Sequence, residues 1–178
     1  MVPPHQDWSF VDETEFQSYN LWIALTPTKL NNGTLGFLKG SHNKLKNIRA
    51  TPLPIYKVPF HDYAFDLLDE LKYIELEPGE AFLFNSRIIH ASKPNISNDA
   101  RINIAIEITN KTAQLIHFNL QPDNKTIHEY FIDNNFFNLY SNAKLTEIFK
   151  SKKNTIEYKI NRTFKYKQEY INKQELLA

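Results

Sequence analysis

His5-Gln6-Asp7 places an imidazole and a carboxylate one residue apart. In extended chain, residues two apart share a face, so both side chains can reach one metal ion. A second imidazole must come from elsewhere. Six histidines are present: His5, His42, His61, His90, His117 and His128. His90 is the strongest partner. It lies in the β-pattern Arg87-Ile88-Ile89-His90-Ala91-Ser92, just after a strand–turn–strand pattern around Gly79. Two imidazoles and one carboxylate on one face of a metal leave three positions open. That set suits non-haem Fe(II), which must hold a co-substrate and oxygen together. A His-x-Asp taken alone is more often a surface pair.

Arg101 adds weight to the set. Residues 100–109 form the clearest strand pattern, with Arg101, Asn103, Ala105 and Glu107 on one face and Ile102, Ile104, Ile106 and Ile108 on the other. Arg101 therefore points away from the apolar side and toward the metal, where a guanidinium can bind a carboxylate bidentately. His90 and Arg101 flank ten residues; if their strands pair across that loop, the two face each other. Ser92, two past His90, shares its face.

Composition excludes most other chemistry. The chain has 178 residues, room for one ordinary domain, and 42% hydrophobic residues, enough to fold. It has no cysteine, which removes disulfides, thiolate catalysis, Cys-type zinc sites and iron–sulfur clusters. A metal must then be held by His, Asp or Glu. The four glycines form neither GxGxxG nor a P-loop. Twenty-one Lys and Arg against twenty Asp and Glu argue against a nucleic-acid binder. No signal peptide and no long apolar run is present, so a cytoplasmic protein off the membrane is expected.

The elements that must position these residues are mostly β. Strands are expected at 19–26, 34–38, 71–76, 81–84, 87–92, 100–109, 113–120 and 127–132. Turns fall at Asn31-Asn32-Gly33 and Pro78-Gly79, and a short amphipathic helix at 62–71. Short strands at this spacing suggest a sandwich or jelly roll. From residue 150 onward there are eight Lys or Arg and three Glu. The alternation of Ile156, Tyr158, Ile160, Phe164 and Tyr166 reads as one or two strands with a solvated basic face. The chain thus divides into residues 1–149 and a basic, strand-like extension, 150–178, on the same domain.

Taken together, His5-Gln6-Asp7, Leu21-Trp22-Ile23-Ala24-Leu25, Asn31-Asn32-Gly33-Thr34-Leu35, Gly40-Ser41-His42 and His90-x-Ser92 followed by Arg101 resemble the phytanoyl-CoA dioxygenase family. The resemblance runs in order from about residue 3 to 108. It implies a double-stranded β-helix, cupin-like, and an Fe(II)- and 2-oxoglutarate-dependent dioxygenase. By resemblance His5, Asp7 and His90 hold the iron. Arg101 holds the distal carboxylate of 2-oxoglutarate with Ser92 beside it, and Trp22 lines the co-substrate pocket. Oxidative decarboxylation of 2-oxoglutarate by O2 would be coupled to hydroxylation of a small organic substrate. His42 is expected to be structural or substrate-side.

Members of that family carry a substantial segment before the His-x-Asp, and here four residues precede it. The expectation is a β-helix incomplete at its N-terminus, with the isoleucine face of residues 102–108 and a strand edge exposed. A partner or second copy would then cover the gap, or the chain would be an inactive remnant or binding module of the same shape. A cupin-like metalloenzyme without 2-oxoglutarate leaves Arg101 and Ser92 unexplained.

Overall fold

Ser18–Ala24 alternates buried and half-buried residues along its length, as a strand with one face in a core must. The same logic builds ten strands in the structure, a computed structural model that describes residues 1–153 and 155–178. They are β1 (Val2–His5), β2 (Ser18–Ala24), β3 (Leu35–Phe37), β4 (Lys72–Tyr73), β5 (Ala81–Asn85), β6 (His90–Ser92), β7 (Asn103–Thr109), β8 (Ile116–Leu120), β9 (Thr126–Phe131) and β10 (Ile160–Lys165). Four short helices accompany them: α1 (Ser41–Lys44), α2 (Phe136–Leu139), α3 (Asn142–Ser151) and α4 (Lys173–Leu177).

The strands form three antiparallel sheets, ordered β1-β6-β3-β4, β5-β2-β7 and β10-β9-β8. From β1 to β3, and again from β4 to β7, successive strands alternate between two sheets, which is the wrapping of a double-stranded β-helix. Trp22, Ala24, Leu35, Phe37 and Phe84 pack with Leu76 as a core drawn from β2 and β5 of one sheet and β3 of another. Pro3 and Pro4 are tolerated because β1 is an edge strand whose register shifts between Val2 and His5. Gly33, at φ 83°, turns the chain into β3, and a Cβ there would sit 2.7 Å from the Lys93 carbonyl oxygen.

Several elements differ from expectation. Residues 87–92 hold only the three-residue β6, because Asn85 Oδ1 caps the Arg87 N–H and turns the chain before it. Residues 71–76 keep only β4 and an isolated bridge from Leu76 to Thr28. The helix near 62–71 is a 3-10 segment, His61–Asp69, kinked at Tyr63. β7 starts at Asn103, so Arg101 lies before the strand, and β6 and β7 belong to different sheets and do not pair. The helices α2 and α3 were not anticipated. In the C-terminal stretch β10 pairs with β9, and Arg162 and Asn161 both donate to the buried Glu129. Ile171 and Leu176 of α4 and its lead-in are buried with Leu38, Phe60 and Leu67.

β7 is the edge of its sheet, and its outer isoleucines are open, from 40% at Ile108 to 43% at Ile104 and Ile106, as is Ile102 just before the strand, at 51%. Among the described residues no helix is long and apolar enough to cross a membrane.

His117 sits sealed under Phe136 and Trp8, with Nε2 2.8 Å from Thr51 Oγ1. Burial holds its imidazole down at about 3 against the usual 6.5. The unfolded chain therefore takes up a proton at residue 117 below pH 6.5 that the folded chain refuses until about pH 3. This contribution to stability is complete above pH 6.5 and is lost on acidification, at up to about 1.4 kcal/mol per pH unit. Urea unfolding between pH 7 and 4 should show a shallower slope for His117→Gln than for the natural chain; parallel slopes would contradict the assignment.

Candidate metal centre

Antiparallel pairing of β1 with β6 sets His5 opposite His90. The two rings lie 4.3 Å apart, centre to centre, at 50°. His5 Nδ1 is 2.8 Å from the Pro3 carbonyl, and His90 Nδ1 is 3.0 Å from the Ile88 carbonyl. A carbonyl only accepts, so each Nδ1 carries the proton and each Nε2 keeps its lone pair. Fixing the far nitrogen on a backbone carbonyl is the usual way to orient a metal-binding imidazole. Asp7 follows β1, and its Oδ1 lies 3.6 Å from His90 Nε2. One donor atom from each of His5, Asp7 and His90 falls within 4.8 Å of the others.

Electrostatics favour the ligating forms. Burial, then the neighbouring His90, holds the His5 imidazole down at about 4, so it is neutral at pH 7. Asp7 Oδ2 is buried and has no hydrogen-bond partner among the described residues. A buried carboxylate oxygen left unsatisfied is costly, and a cation at this point would relieve it.

The backbone around Asp7 is held from both sides. Its N–H donates to the Ser86 carbonyl at 3.1 Å. Its carbonyl accepts from Arg49 Nε at 2.5 Å. Arg49 also grips Glu13 with both terminal nitrogens, at 2.6 Å each, and Arg87 Nε reaches the same carboxylate at 3.0 Å. Burial alone would raise the Glu13 carboxyl, but Arg49 and then Arg87 outweigh it and hold it below the usual range. Gln6 Nε2 donates to the Arg87 carbonyl, which ties the middle of His5-Gln6-Asp7 to the same cluster. Across β6, Gly40 at φ 84° opens α1, and Ser41 Oγ accepts from Ile89 N–H at 2.9 Å, next to His90.

Trp22 on β2 is buried and stacks on Phe82, with ring centres 5.3 Å apart. The Arg101 guanidinium lies over Trp22 at 5.4 Å. Arg101 Nη1 is buried with no hydrogen-bond partner among the described residues, and burial lowers the guanidinium from its ordinary value. An unpaired cation in that position is a receptor for an anion. Ser92 is buried on β6 two residues past His90, and its Oγ accepts from the Val2 N–H at 3.2 Å. The other histidines stay apart from the cluster: His61 pairs with Asp62 at 2.9 Å, and His117 is in the core.

Glu107 is the residue that motif spacing passed over, although it lies on the inner face of residues 101–107. Asn20 Nδ2 donates to its Oε1 at 2.8 Å, and Ser86 Oγ lies 3.3 Å from its Oε2. Burial, then the neighbouring Asp7, pushes its carboxyl up to about 8. The Glu13–Arg49–Arg87 cluster carries no local signature at all, since its members lie 36 and 74 residues apart.

Comparison with known proteins identifies relatives of the chain. The family model described as phytanoyl-CoA dioxygenase matches residues 1–103. A 1-deoxypentalenic acid 11-beta-hydroxylase of Streptomyces arenae is 30% identical over 107 residues, covering 56% of this chain and 36% of the relative. A phytanoyl-CoA dioxygenase domain-containing protein 1 of Bos taurus is 31% identical over 105 residues, with the same coverage of 56% and 36%. The chain thus spans about a third of the length of these relatives. A solved non-haem α-ketoglutarate-dependent carbocyclase from nogalamycin biosynthesis superposes with a TM-score of 0.53 at 16% identity, covering 64% of this chain and 46% of that one.

Replacing Glu13 by Gln leaves two guanidinium groups without their counter-charge. Glu13→Gln should lower unfolding free energy by about 3 kcal/mol, the scale for breaking a buried ion pair. Denaturant titration reads this directly, and a loss under about 0.5 kcal/mol, the size of an exposed pair, would contradict the clamp.

Proposed function

The chain belongs to the phytanoyl-CoA dioxygenase family, and from that premise we propose that it is an Fe(II)- and 2-oxoglutarate-dependent dioxygenase acting on a small organic substrate. The observation that carries this reading is the convergence of His5, Asp7 and His90, with one donor atom from each within 4.8 Å of the others. Such a set holds one face of an Fe(II) ion and leaves the opposite positions for a co-substrate and O2. Iron held there would activate O2, the oxidant, with 2-oxoglutarate giving up two electrons as it is decarboxylated and the substrate C–H giving the other two as it is hydroxylated.

The chain's own residues supply position and charge. His5 and His90 present Nε2 because their Nδ1 protons are held on the Pro3 and Ile88 carbonyls. Asp7 contributes the negative charge that partly balances a divalent cation. Arg101, buried at Nη1 and lying over Trp22, offers the cation that a distal carboxylate requires. Trp22 and Phe82 wall that end against water. Ser92 sits beside His90 with a hydroxyl proton still free to give, since its contact with the Val2 N–H uses Oγ as acceptor.

Anaerobic titration tests the reading. Added to the Fe(II)-loaded chain, 2-oxoglutarate should produce a visible charge-transfer band, and air should then release succinate. His5→Ala should abolish the band. Arg101→Ala should retain metal binding but weaken 2-oxoglutarate by about 10- to 100-fold, the range for a lost charge-assisted hydrogen-bond pair. No band in the natural chain, or an unchanged affinity in Arg101→Ala, would overturn the proposal.

A further inference from the structure

A strand at the edge of a sheet exposes unpaired N–H and C=O groups, and folded chains guard such edges with proline, basic side chains, bulges or brevity. Most edges here are guarded. β1 carries Pro3, Pro4 and a register shift, and β10 carries Arg162, Lys165 and a shift of its own. β4 has two residues and β5 five, and β8 is met at Asn119 by the bridge from Thr51. β7 is the longest edge after none of these devices: seven residues, paired with β2 without a break, and free of Lys, Arg and Pro. The Leu25 N–H donates to the Ile102 carbonyl, so alternation along the antiparallel pair commits the backbone of Ile102, Ile104, Ile106 and Ile108 to β2. Asn103, Ala105 and Glu107 therefore turn their N–H and C=O outward, where no strand among the described residues pairs with them. A cavity of about 740 Å³ borders this edge, lined by Ala105, Ile106 and Ile108 from the strand and by Phe10, Leu115 and Phe137 from beyond it. It shares Phe10, Glu107 and Phe137 with the smaller cavity that reaches His5 and Asp7.

The edge is complementary to itself. Turned about a two-fold axis at Ala105, residue 101 faces 109 of a second copy, 102 faces 108, 103 faces 107 and 104 faces 106. The small Ala105 side chains meet at the axis and let the strands close to about 4.8 Å. On the outer face Ile104 packs on Ile106, and Ile102 on Ile108, in both halves of the pair. On the inner face Glu107 meets the Asn103 amide, a contact that holds whether or not the carboxyl carries its proton. Arg101 meets Thr109, so no like charges stand opposite each other. Centring the axis on Ile106 instead would set the two Glu107 side chains diagonally beside each other, and centring it on Ile104 would leave the end of β7 unpaired. We propose that β7 is a self-pairing edge: two copies of the chain join β7 to β7, antiparallel about Ala105, into a six-stranded sheet. A second copy suits this edge better than a foreign strand because every contact is made twice. The incoming strand also walls the open side of the groove that leads to the metal-type donors.

Residues 101–109 span about 30 Å of strand, a narrower contact than the usual interface of about 800 Å² per copy. The dimer is therefore reversible, with a Kd on the order of 10 µM. Analytical ultracentrifugation of the full chain from about 1 to 200 µM brackets that value. The natural chain should pass from monomer to dimer across the range. Ile106→Lys and Ile104→Glu, each at a side chain 43% exposed, should keep the natural circular dichroism spectrum. Each alone should weaken the dimer about tenfold or more, because it loses an isoleucine pair in both halves and sets like charges diagonally across the axis. An equimolar mixture of the two variants should recover the dimer, since position 106 of one copy faces position 104 of the other. A natural chain still monomeric at the top of the range, a dimer indifferent to either substitution, or a mixture no tighter than the separate variants would each overturn the proposal.

Discussion

The pairing of β1 with β6 is the constraint on which the site depends. It sets His5 opposite His90 in antiparallel register. Slipping that pair by one residue would turn one imidazole to the other face of the sheet. The register is held by neighbours on both sides. β6 is central, flanked by β1 and β3, and the Val2 N–H reaches Ser92 Oγ at 3.2 Å at the far end of the pair. Each ring is then locked by a backbone carbonyl only two residues away in sequence. Local chain and sheet together therefore specify ring position, ring orientation and tautomer.

Asp7 lies beyond β1, so the strand pairing cannot position it. The Arg49–Glu13–Arg87 cluster does this instead, reaching the Asp7 carbonyl through Arg49 Nε. The cost of burying these charges is offset because every partner is engaged by several hydrogen bonds. On the opposite wall, β2 and β7 carry an inner row that runs from Trp22 beneath Arg101 to Asn20 bonded to Glu107. One strand pair thus presents a cation at one end and a carboxylate at the other, on the same side as the metal donors. The outer side of the same sheet carries isoleucines that remain partly in water.

Much of the site was readable from residue order because a strand has period two. That period put Arg101 on the inner side, the isoleucines on the outer side, and Ser92 with His90. It also placed Glu107 inward, although no motif drew attention to it. The reading was weaker where local chemistry overrides periodicity. Asn85 caps a turn that cuts the 87–92 pattern down to β6, and Arg101 precedes its strand because Leu25 and Thr26 N–H groups bond the Ile102 carbonyl in a loop-like approach. The helix α3 was missed because only Leu145 and Ile148 are buried along it, too few for a visible apolar stripe. Glu13 and Arg49 left no trace in the sequence, since only the folded chain brings them together.

The central claim is that His5, Asp7 and His90 hold one metal ion. Crystals of the chain grown or soaked with Fe(II) under anaerobic conditions, with diffraction collected at the iron absorption edge, test it most directly. The account predicts one anomalous peak at about 2.0–2.3 Å from His5 Nε2, His90 Nε2 and an Asp7 oxygen. A fully soaked crystal with no peak there, or with its iron bound elsewhere such as at His61 and Asp62, would contradict it.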